Sequence, residues 1–541
     1  MRRQSQSFAP KISPIAQSSN AFIAYDTQSG FSLSFSHLRI RFVNLFRLTT
    51  CCFVLLGSLS GCDQNRDEAG KAGSSGGDES ADSEESQADR AVVPFEFTEL
   101  TDSVDLNFTY RDGQEAGQFA ILESLGGGVA VLDYDLDGRE DLCFAGGGRF
   151  PEPDKLSGQP GGLFQNRTDN RFQDLTSLAG IDFSEFYNHG VCRGDYDADG
   201  FPDLLITGYG GVQLFRNQGD GTFVEGAAAA GLDAPEWNSA AAVADLNADG
   251  WPDLFVGAYI SLQNQIPHPS GAFPQDYYGL PDRLYINNGD GTFREVTLDV
   301  GLVREERALG AIFSDLNGDG RFELYIANDG QPNRLYTAVP SDNPAGFHFE
   351  DLSLSADIGD SGSGMGVTGG DYDGDGRFDL FVTNWEAELN ALYRNETHEQ
   401  GYINFRYSTY RIGMMGLGNN MTGWGTTWAD FDHDTDIDLV TVNGRVPISN
   451  FATDPELVRY YNNRLVQSGR PHYFEFTEQV GLENVGTLLA RGSAVADYDN
   501  DGDLDMAINV IGGRAILLEN TNPAGNWLQI ELSDFAPGTM A

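Results

Sequence analysis

Short apolar runs alternate with acidic segments through most of the chain after residue 91. Residues Val129–Leu132 precede one acidic segment, and Leu142–Ala145 follow it. Apolar runs of about four to eight residues bounded by turn residues are typical of β-strands. Each acidic segment is therefore predicted to join two antiparallel strands.

Seven acidic segments share one nine-residue pattern, with carboxylate or amide side chains at positions 1, 3, 5 and 9, and we number them loops 1 to 7. Ca²⁺ takes about six to eight oxygen ligands, and alternating oxygen side chains on a tight turn supply several of them. The sequence therefore predicts up to seven Ca²⁺ sites. The predicted ligands are, loop by loop, Asp133, Asp135, Asp137 and Asp141; Asp195, Asp197, Asp199 and Asp203; Asp245, Asn247, Asp249 and Asp253; Asp315, Asn317, Asp319 and Glu323; Asp371, Asp373, Asp375 and Asp379; Asp430, Asp432, Asp434 and Asp438; and Asp497, Asp499, Asp501 and Asp505.

Two loops depart from the common pattern. Loop 6 has Thr435 at position 6, where the other loops have glycine, and loop 4 ends in Glu323. Because glycine tolerates the sharp bend at position 6, we expect loop 6 to bind Ca²⁺ with some strain or lower affinity.

A second repeated element fixes the phase of the repeat. The pattern Phe-x-acidic-x-Ser/Thr starts at Phe97, Phe172, Phe293 and Phe349, and looser copies start at Phe223, Phe405 and Phe476. Leu-Tyr segments such as Arg283–Asn287 lie between each loop and the next Phe segment. The unit is therefore predicted to have four antiparallel strands, which is one propeller blade. The predicted fold is an all-β, seven-bladed β-propeller with DxDxDGxxD calcium loops.

The first Phe strand has no acidic loop before it, and the seventh loop has no Phe strand after it. We therefore expect the N-terminal strand, Phe95–Thr101, to complete the last blade and remove two exposed sheet edges. The string FEFTE occurs at residues 95–99 and 474–478, which favours interchangeable outer strands.

Composition supports an all-β protein that collects cations. The 541 residues include 66 Gly, 35 Phe and 21 Tyr, which favours many turns and strands. The net charge of −48 argues against nucleic acid or anionic lipid as a partner, because phosphate surfaces would be repelled.

The N-terminal region has the features of an exported protein. Residues 1–61 are predicted to be a signal peptide with an extended basic start, since the apolar run Leu48–Leu59 is too short for a membrane span. The run ends in Leu59-Ser60-Gly61-Cys62, which resembles the bacterial lipobox. That resemblance implies lipidation of Cys62 and a location in the cell envelope, periplasmic or surface-facing; the alternative is an ordinary secretory signal. Residues 62–90 are predicted to form an acidic flexible tether.

The propeller is predicted to span residues 91–525, and its loops and strands resemble those of the FG-GAP/VCBS repeat family. Segments 327–336 and 365–384 are similar to the cartilage-acidic-protein-like group, in which an ASPIC/UnbV domain follows the propeller. Residues 526–541 begin like that domain with Asn526-Trp527-Leu528 and then depart from it, which indicates a truncated segment. The resemblance implies calcium-stabilised adhesion or ligand display, with an extracellular protein or glycan as partner.

The face opposite the acidic loops is the predicted ligand face. Long insertions at Tyr259–Asp282 and Gly444–Asn463 are expected there. Exposed aromatic rings on loops suit glycan or protein binding, although the same rings could instead pack the insertions onto the blades. The candidate ligand residues are Trp237, Tyr277, Tyr278, Trp385, Trp424, Tyr460 and Tyr461.

Catalysis has little support in the sequence. No nucleophile elbow, zinc spacing or phosphate loop occurs, so the protein is predicted not to be an enzyme. The alternative is a polysaccharide lyase or other carbohydrate-active enzyme on a calcium propeller. Its candidate residues are Arg445, Arg459, Arg464, His189 and His268.

Two cysteines, Cys143 and Cys192, lie in the predicted propeller. They either pair across neighbouring blades or are both small buried residues, and the sequence favours the second interpretation.

Overall fold

A computed structural model describes residues 95–522, apart from 118–119, 153–154, 268–272, 399–401 and 415–419, and the backbone of a strand pair, Arg39–Ile40 with Ile530–Glu531. The described residues form seven four-stranded antiparallel sheets, which confirms the predicted all-β propeller-type fold. Sheets 1 to 7, with strands from first to fourth, are Val129–Leu132, Asp141–Phe144, Gly162–Asn166, Phe172–Asp174; Tyr187–Gly194, Asp203–Tyr209, Gly211–Asn217, Phe223–Glu225; Asn238–Ala244, Asp253–Ala258, Arg283–Asn287, Phe293–Glu295; Ala308–Ser314, Glu323–Asn328, Arg334–Pro340, Phe347–Asp351; Val367–Gly370, Asp379–Val382, Ala391–Asn395, Phe405–Tyr407; Gly423–Ala429, Asp438–Asn443, Arg459–Asn463, Tyr473–Glu475; and Ala490–Ala496, Asp505–Val510, Ile516–Asn520, Phe97–Glu99.

The first strands of the sheets lie side by side. Each contacts the first strand of the next sheet, and the first strand of sheet 7 contacts that of sheet 1. Together they surround a cavity of about 320 Å³, lined mainly by Gly, Ala, Val and Thr. The second strands are buried along almost their whole length because neighbouring sheets cover both of their faces.

Sheet 7 combines the two ends of the described chain. Phe97–Glu99 pairs antiparallel with Ile516–Asn520, with Phe97 opposite Asn520 and Glu99 opposite Leu518. Phe97 is buried, and its ring lies edge-on to Phe431 of sheet 6 at 5.7 Å. The N-terminal strand therefore occupies the outer position at which the phase of the repeats placed it.

The hydroxyl of the Phe-x-acidic-x-Ser/Thr pattern joins the two outer strands. Thr176 Oγ1 accepts a hydrogen bond of 2.9 Å from the amide of Leu163, on the third strand. The same bond occurs in five further sheets, through Thr101, Thr297, Ser353, Thr409 and Thr477.

The copy in sheet 6 corrects a predicted register. Tyr473 pairs with Asn463, as Phe97 pairs with Asn520, so the pattern starts at Tyr473 and not at Phe476. The two FEFTE strings are consequently out of register, because Tyr replaces the first Phe of the pattern in sheet 6.

Insertions leave the sheets between second and third strands. The predicted insertion Tyr259–Asp282 contains two strands, Ile260–Gln265 and Tyr277–Pro281, which pair with each other, and the second also pairs with Glu305–Glu306. The other predicted insertion ends earlier than expected, since Arg459–Asn463 is the third strand of sheet 6. The remaining strands form two further pairs, Glu456–Leu457 with Thr487–Leu488, and Gly148–Glu152 with Lys155–Gly158. The second pair lies between the second and third strands of sheet 1, and the sequence did not indicate it.

Helices are few and short. None in the described part of the chain is long and apolar enough to cross a membrane. They are Gln114–Ala116, Ile121–Ser124, Ala227–Ala230, Thr409–Arg411, Leu465–Ser468 and Leu482–Val485.

Cys143 is buried, Cys192 is half-buried, and both thiols are free. The predicted signal peptide except the backbone of Arg39–Ile40, Cys62, the tether at 62–90 and nearly all of segment 526–541 lie outside the described residues. The domain boundaries therefore stay predictions.

Candidate metal centres in the acidic loops

Each acidic loop joins the first and second strands of its sheet, and position 9 is the first residue of the second strand. All seven loops bend at two residues with left-handed backbone. Position 4 has φ between 54° and 71°, and position 6 has φ between 79° and 100°. The seven loops therefore share one backbone conformation.

Loop 6 reaches this conformation without glycine. Thr435 has φ 79°, in a region that β-branched residues rarely adopt. The predicted strain in loop 6 is thus present in the backbone, while its four Asp side chains keep the arrangement found in the other loops.

The position 1 carboxylate organises the turn. In loop 1, Asp133 Oδ1 accepts a hydrogen bond from the amide of Asp137 at 2.9 Å, and Oδ2 accepts one from Gly138 at 2.8 Å. The other six loops repeat both bonds at 2.8 to 3.1 Å. These bonds fix the carboxylate before any cation binds.

The position 9 carboxylate is buried in every loop. In loop 2, Asp203 Oδ2 accepts from the amide of Tyr196 at 2.9 Å, and Oδ1 accepts from the amide of Asn217 at 2.7 Å. Burial raises the pKa of Asp203 to about 8 and that of Asp141 to about 9. A nearby cation would offset this cost, because it favours the ionised carboxylate.

Five loops bring three carboxylates together. One oxygen from each residue lies within 4.8 Å of the others in the groups Asp133, Asp135 and Asp141; Asp195, Asp197 and Asp199; Asp371, Asp373 and Asp379; Asp430, Asp432 and Asp438; and Asp497, Asp499 and Asp505. Loops 3 and 4 have Asn247 and Asn317 at position 3 instead, so they offer an amide oxygen there.

The donor set suits a hard cation such as Ca²⁺. All predicted side-chain ligands are oxygens, the chemistry that Ca²⁺ prefers. Within the described residues, Asp197 Oδ1 and Asp373 Oδ1 are buried and accept no hydrogen bond. A buried carboxylate oxygen without a donor is costly unless a cation or water meets it. The residues present therefore fit calcium.

Third-strand asparagines connect six of the seven loops to the next sheet. Asn217 of sheet 2 donates from Nδ2 to the carbonyl of Tyr134 at position 2 of loop 1, at 2.8 Å. The equivalent pairs are Asn287 with Tyr196, Asn395 with Leu316, Asn463 with Tyr372, Asn520 with Phe431 and Asn166 with Tyr498. Sheet 4 has Ala338 at this place. Sequence reasoning missed these residues, although Asn closes the Leu-Tyr segment in most repeats.

Four of the seven aromatic ligand candidates are buried, so they cannot form an exposed surface. Trp237 is packed against Tyr259 and His189, and Tyr461 lies in the core of sheet 6. Trp424 donates from Nε1 to the carbonyl of Gly444 at 2.7 Å and lies under Arg491. These rings pack inside the protein, which agrees with the alternative interpretation of the sequence that they have a packing role.

Tyr460 contacts loop 6 from the third strand of sheet 6 and does not form part of a ligand surface. It is fully buried, and its hydroxyl donates to Asp438 Oδ2 at 2.7 Å. Tyr460 is the second residue of Arg459–Asn463, and the second residue of the equivalent strand Arg283–Asn287 is a buried Leu. The repeat pattern therefore already indicated that Tyr460 is buried. Of the other candidates, Tyr277 is half-buried, whereas Tyr278 is 45% exposed and Trp385 is 36% exposed.

The four lyase candidates that the structure describes do not form one cluster. Arg459 and Arg464 flank opposite ends of the third strand of sheet 6, and Arg445 pairs with Glu386 at 2.6 Å. His189 is buried, and burial lowers its pKa to about 3. His268 lies outside the described residues.

Over part of the chain, the repeated sheets and loops resemble FG-GAP-like repeats. FG-GAP-like repeats match residues 195–256, 275–326 and 315–382. Cartilage acidic protein 1 is similar to it: the Homo sapiens protein is 28% identical over 256 residues, or 46% of this chain, and the Xenopus tropicalis protein is 23% identical over 231 residues, or 41% of this chain. The predicted resemblance is thereby confirmed. The matched regions span 36% and 32% of those relatives.

Solved structures with a similar course of chain include an Agrocybe aegerita lectin described as recognising non-reducing terminal N-acetylglucosamine. It has a TM-score of 0.39 and 15% identity, covering 75% of this chain and 90% of that chain. BBS1N, solved in complex with ARL6DN, has a TM-score of 0.38 and 11% identity, covering 74% of this chain and 94% of that chain.

Proposed function

We propose that this protein is a calcium-stabilised binding scaffold of the bacterial cell envelope, which acts by binding and not by catalysis. The observation that carries the calcium proposal is the common geometry of the seven loops. Each fixes its first carboxylate with two backbone amides and buries its last carboxylate at the start of the second strand. Such an arrangement holds ligands in place for a cation.

Calcium would stabilise the contacts between sheets as well as each loop. Six loops offer their position 2 carbonyl to an asparagine of the next sheet, for example Tyr134 to Asn217. Holding the loop in shape keeps that carbonyl in place. Calcium binding and packing of neighbouring sheets are therefore expected to be linked.

Chelation tests the calcium proposal. Excess EDTA is expected to lower the melting temperature by at least about 10 °C, because several sites lose their ions together and the loop carboxylates repel one another. Calcium added back in excess should restore the melt, and magnesium should not, since Mg²⁺ requires near-ideal octahedral geometry and loses its bound waters reluctantly. An unchanged melt in EDTA would contradict the proposal.

The ligand surface is proposed on the face opposite the loops, where the second-to-third strand connections lie. Tyr278 and Trp385 are the candidate rings that remain exposed there. Such rings suit a protein or glycan partner. We further propose attachment to the membrane only through a lipid on Cys62.

A glycan and matrix-protein array tests this surface. Calcium-loaded wild-type protein should give binding signals on the array. The signals of Trp385→Ala should be about tenfold lower, because the exposed ring supplies contact area. Tyr402→Ala is the control, because it removes an exposed ring from a third-to-fourth strand connection, on the side of the acidic loops. Equal signals from both variants would refute the assignment of the surface.

A further inference from the structure

One residue on each third strand faces the acidic loop of its own sheet. It stands opposite position 9 of the loop; Thr337, for example, pairs with Glu323. We call these side chains the loop-facing residues. From sheet 1 to sheet 7 they are Gln165, Arg216, Ile286, Thr337, Arg394, Asn462 and Glu519. Their chemistry runs from cationic to anionic, although the loops themselves are nearly uniform.

Two loop-facing residues are arginines that enter their loops. Arg394 Nε forms an ion pair with Asp373 Oδ2, and its Nη2 lies 3.0 Å from Asp375 Oδ2. Arg216 Nε pairs with Asp197 in the same way, and its Nη2 lies 3.7 Å from Asp199 Oδ2. The guanidinium thus contacts the carboxylates at positions 3 and 5, which are predicted calcium ligands.

Neutral loop-facing residues make weaker contacts with the same carboxylates. Gln165 Nε2 donates to Asp135 Oδ2 at 2.6 Å, and Asn462 Nδ2 donates to Asp432 Oδ2 at 2.9 Å. An amide at this place therefore fits the fold and adds no charge.

Loop 7 has the opposite charge at this place. Its loop-facing residue, Glu519, stands opposite Asp505 at position 9, because Met506 pairs with Leu518 next to them. Asp503 at position 7 is fully buried and adds a further carboxylate. No arginine or lysine of the described chain forms an ion pair with a carboxylate of loop 7.

We propose that the loop-facing residue sets the calcium affinity of each loop: Arg216 and Arg394 make loops 2 and 5 the weakest sites, and Glu519 makes loop 7 the tightest. A cation held at positions 3 and 5 repels Ca²⁺ and occupies its ligands, whereas an extra carboxylate attracts it. Affinity in oxygen-ligand calcium sites varies with the number of charged ligands. The inference rests on the proposed calcium function and deepens it.

Calcium titration calorimetry of the full chain tests the grading. Arg394→Gln and Arg216→Gln should each tighten one weak site by about tenfold, and Glu519→Gln should weaken the tightest site by about tenfold. Arg406→Gln is the matched control for sheet 5, because Arg406 pairs with Glu396 and touches no loop carboxylate. Glu99→Gln, which loses only its pairing with Arg514, is the control for sheet 7.

A second readout separates the grading from a general loss of stability. In EDTA, Arg394→Gln should melt below wild type, since its loop loses an internal counterion, and saturating calcium should remove the difference. If wild-type protein binds calcium and the three variants give the same isotherms as wild type, the proposed grading of affinities is overturned and the proposed function is not. A wild-type protein that binds no calcium would overturn the grading together with the proposed function.

Discussion

Asn287 shows how one side chain joins two repeats. Its Nδ2 donates to the carbonyl of Tyr196 in loop 2 at 2.7 Å and to that of Pro252 at 3.0 Å. The bond to Tyr196 is buried, so removal of the side chain leaves the Tyr196 carbonyl without a donor in the interior. The neighbouring Asn288 is exposed and bonds only to Thr292. The two adjacent asparagines therefore allow the inter-sheet bond to be tested by itself.

Asn287→Ala is expected to lower the free energy of unfolding by about 1–3 kcal/mol, the usual cost of leaving buried polar groups unpaired. Asn288→Ala should change it by less than about 0.5 kcal/mol. Urea denaturation of both variants in saturating calcium measures the difference. Equal midpoints would show that the asparagine bond does not hold the sheets together.

At the scale of strands and loops, the repeat pattern predicted most of the fold. The acidic loops fixed the first and second strands, since a turn rich in Asp and Gly between apolar runs has few other structures. The Phe pattern located the fourth strand in most sheets. The predicted register was wrong in sheet 6. Tyr473 replaces the expected Phe there, and the FEFTE string at 474–478 was aligned with the pattern instead.

The ligand face was predicted less well, because burial of an aromatic ring depends on tertiary neighbours. Trp237 and Trp424 follow loop-like sequence yet lie at the start of first strands, where the adjacent sheets cover them. The contacts of the loop-facing arginines with the loop carboxylates also could not be predicted from the sequence alone. Arg394 is far from Asp373 along the chain, and only strand pairing brings them together.

At the scale of the whole molecule, the seventh sheet differs from the other six in how its outer strand is held. In sheet 2 a short turn joins the third strand to the fourth, from Asn217 to Phe223. In sheet 7 the outer strand, Phe97–Glu99, comes from the other end of the described chain. Its place depends on side chains such as Phe97, on backbone pairing and on the bond from the Leu517 amide to Thr101.

Phe97→Ala should therefore loosen sheet 7 more than Phe223→Ala loosens sheet 2. Both phenylalanines are buried to a similar extent, so each loses about 3–5 kcal/mol of packing. The turn in sheet 2 keeps Phe223–Glu225 near its partner, whereas nothing local retains Phe97–Glu99 once it separates. Hydrogen exchange in saturating calcium is expected to show the amides of Ile516–Asn520 exchanging about 100-fold faster in Phe97→Ala, with a much smaller change at Gly211–Asn217 in Phe223→Ala. Similar changes in the two strands would contradict the prediction that Phe97–Glu99 is held less firmly than Phe223–Glu225.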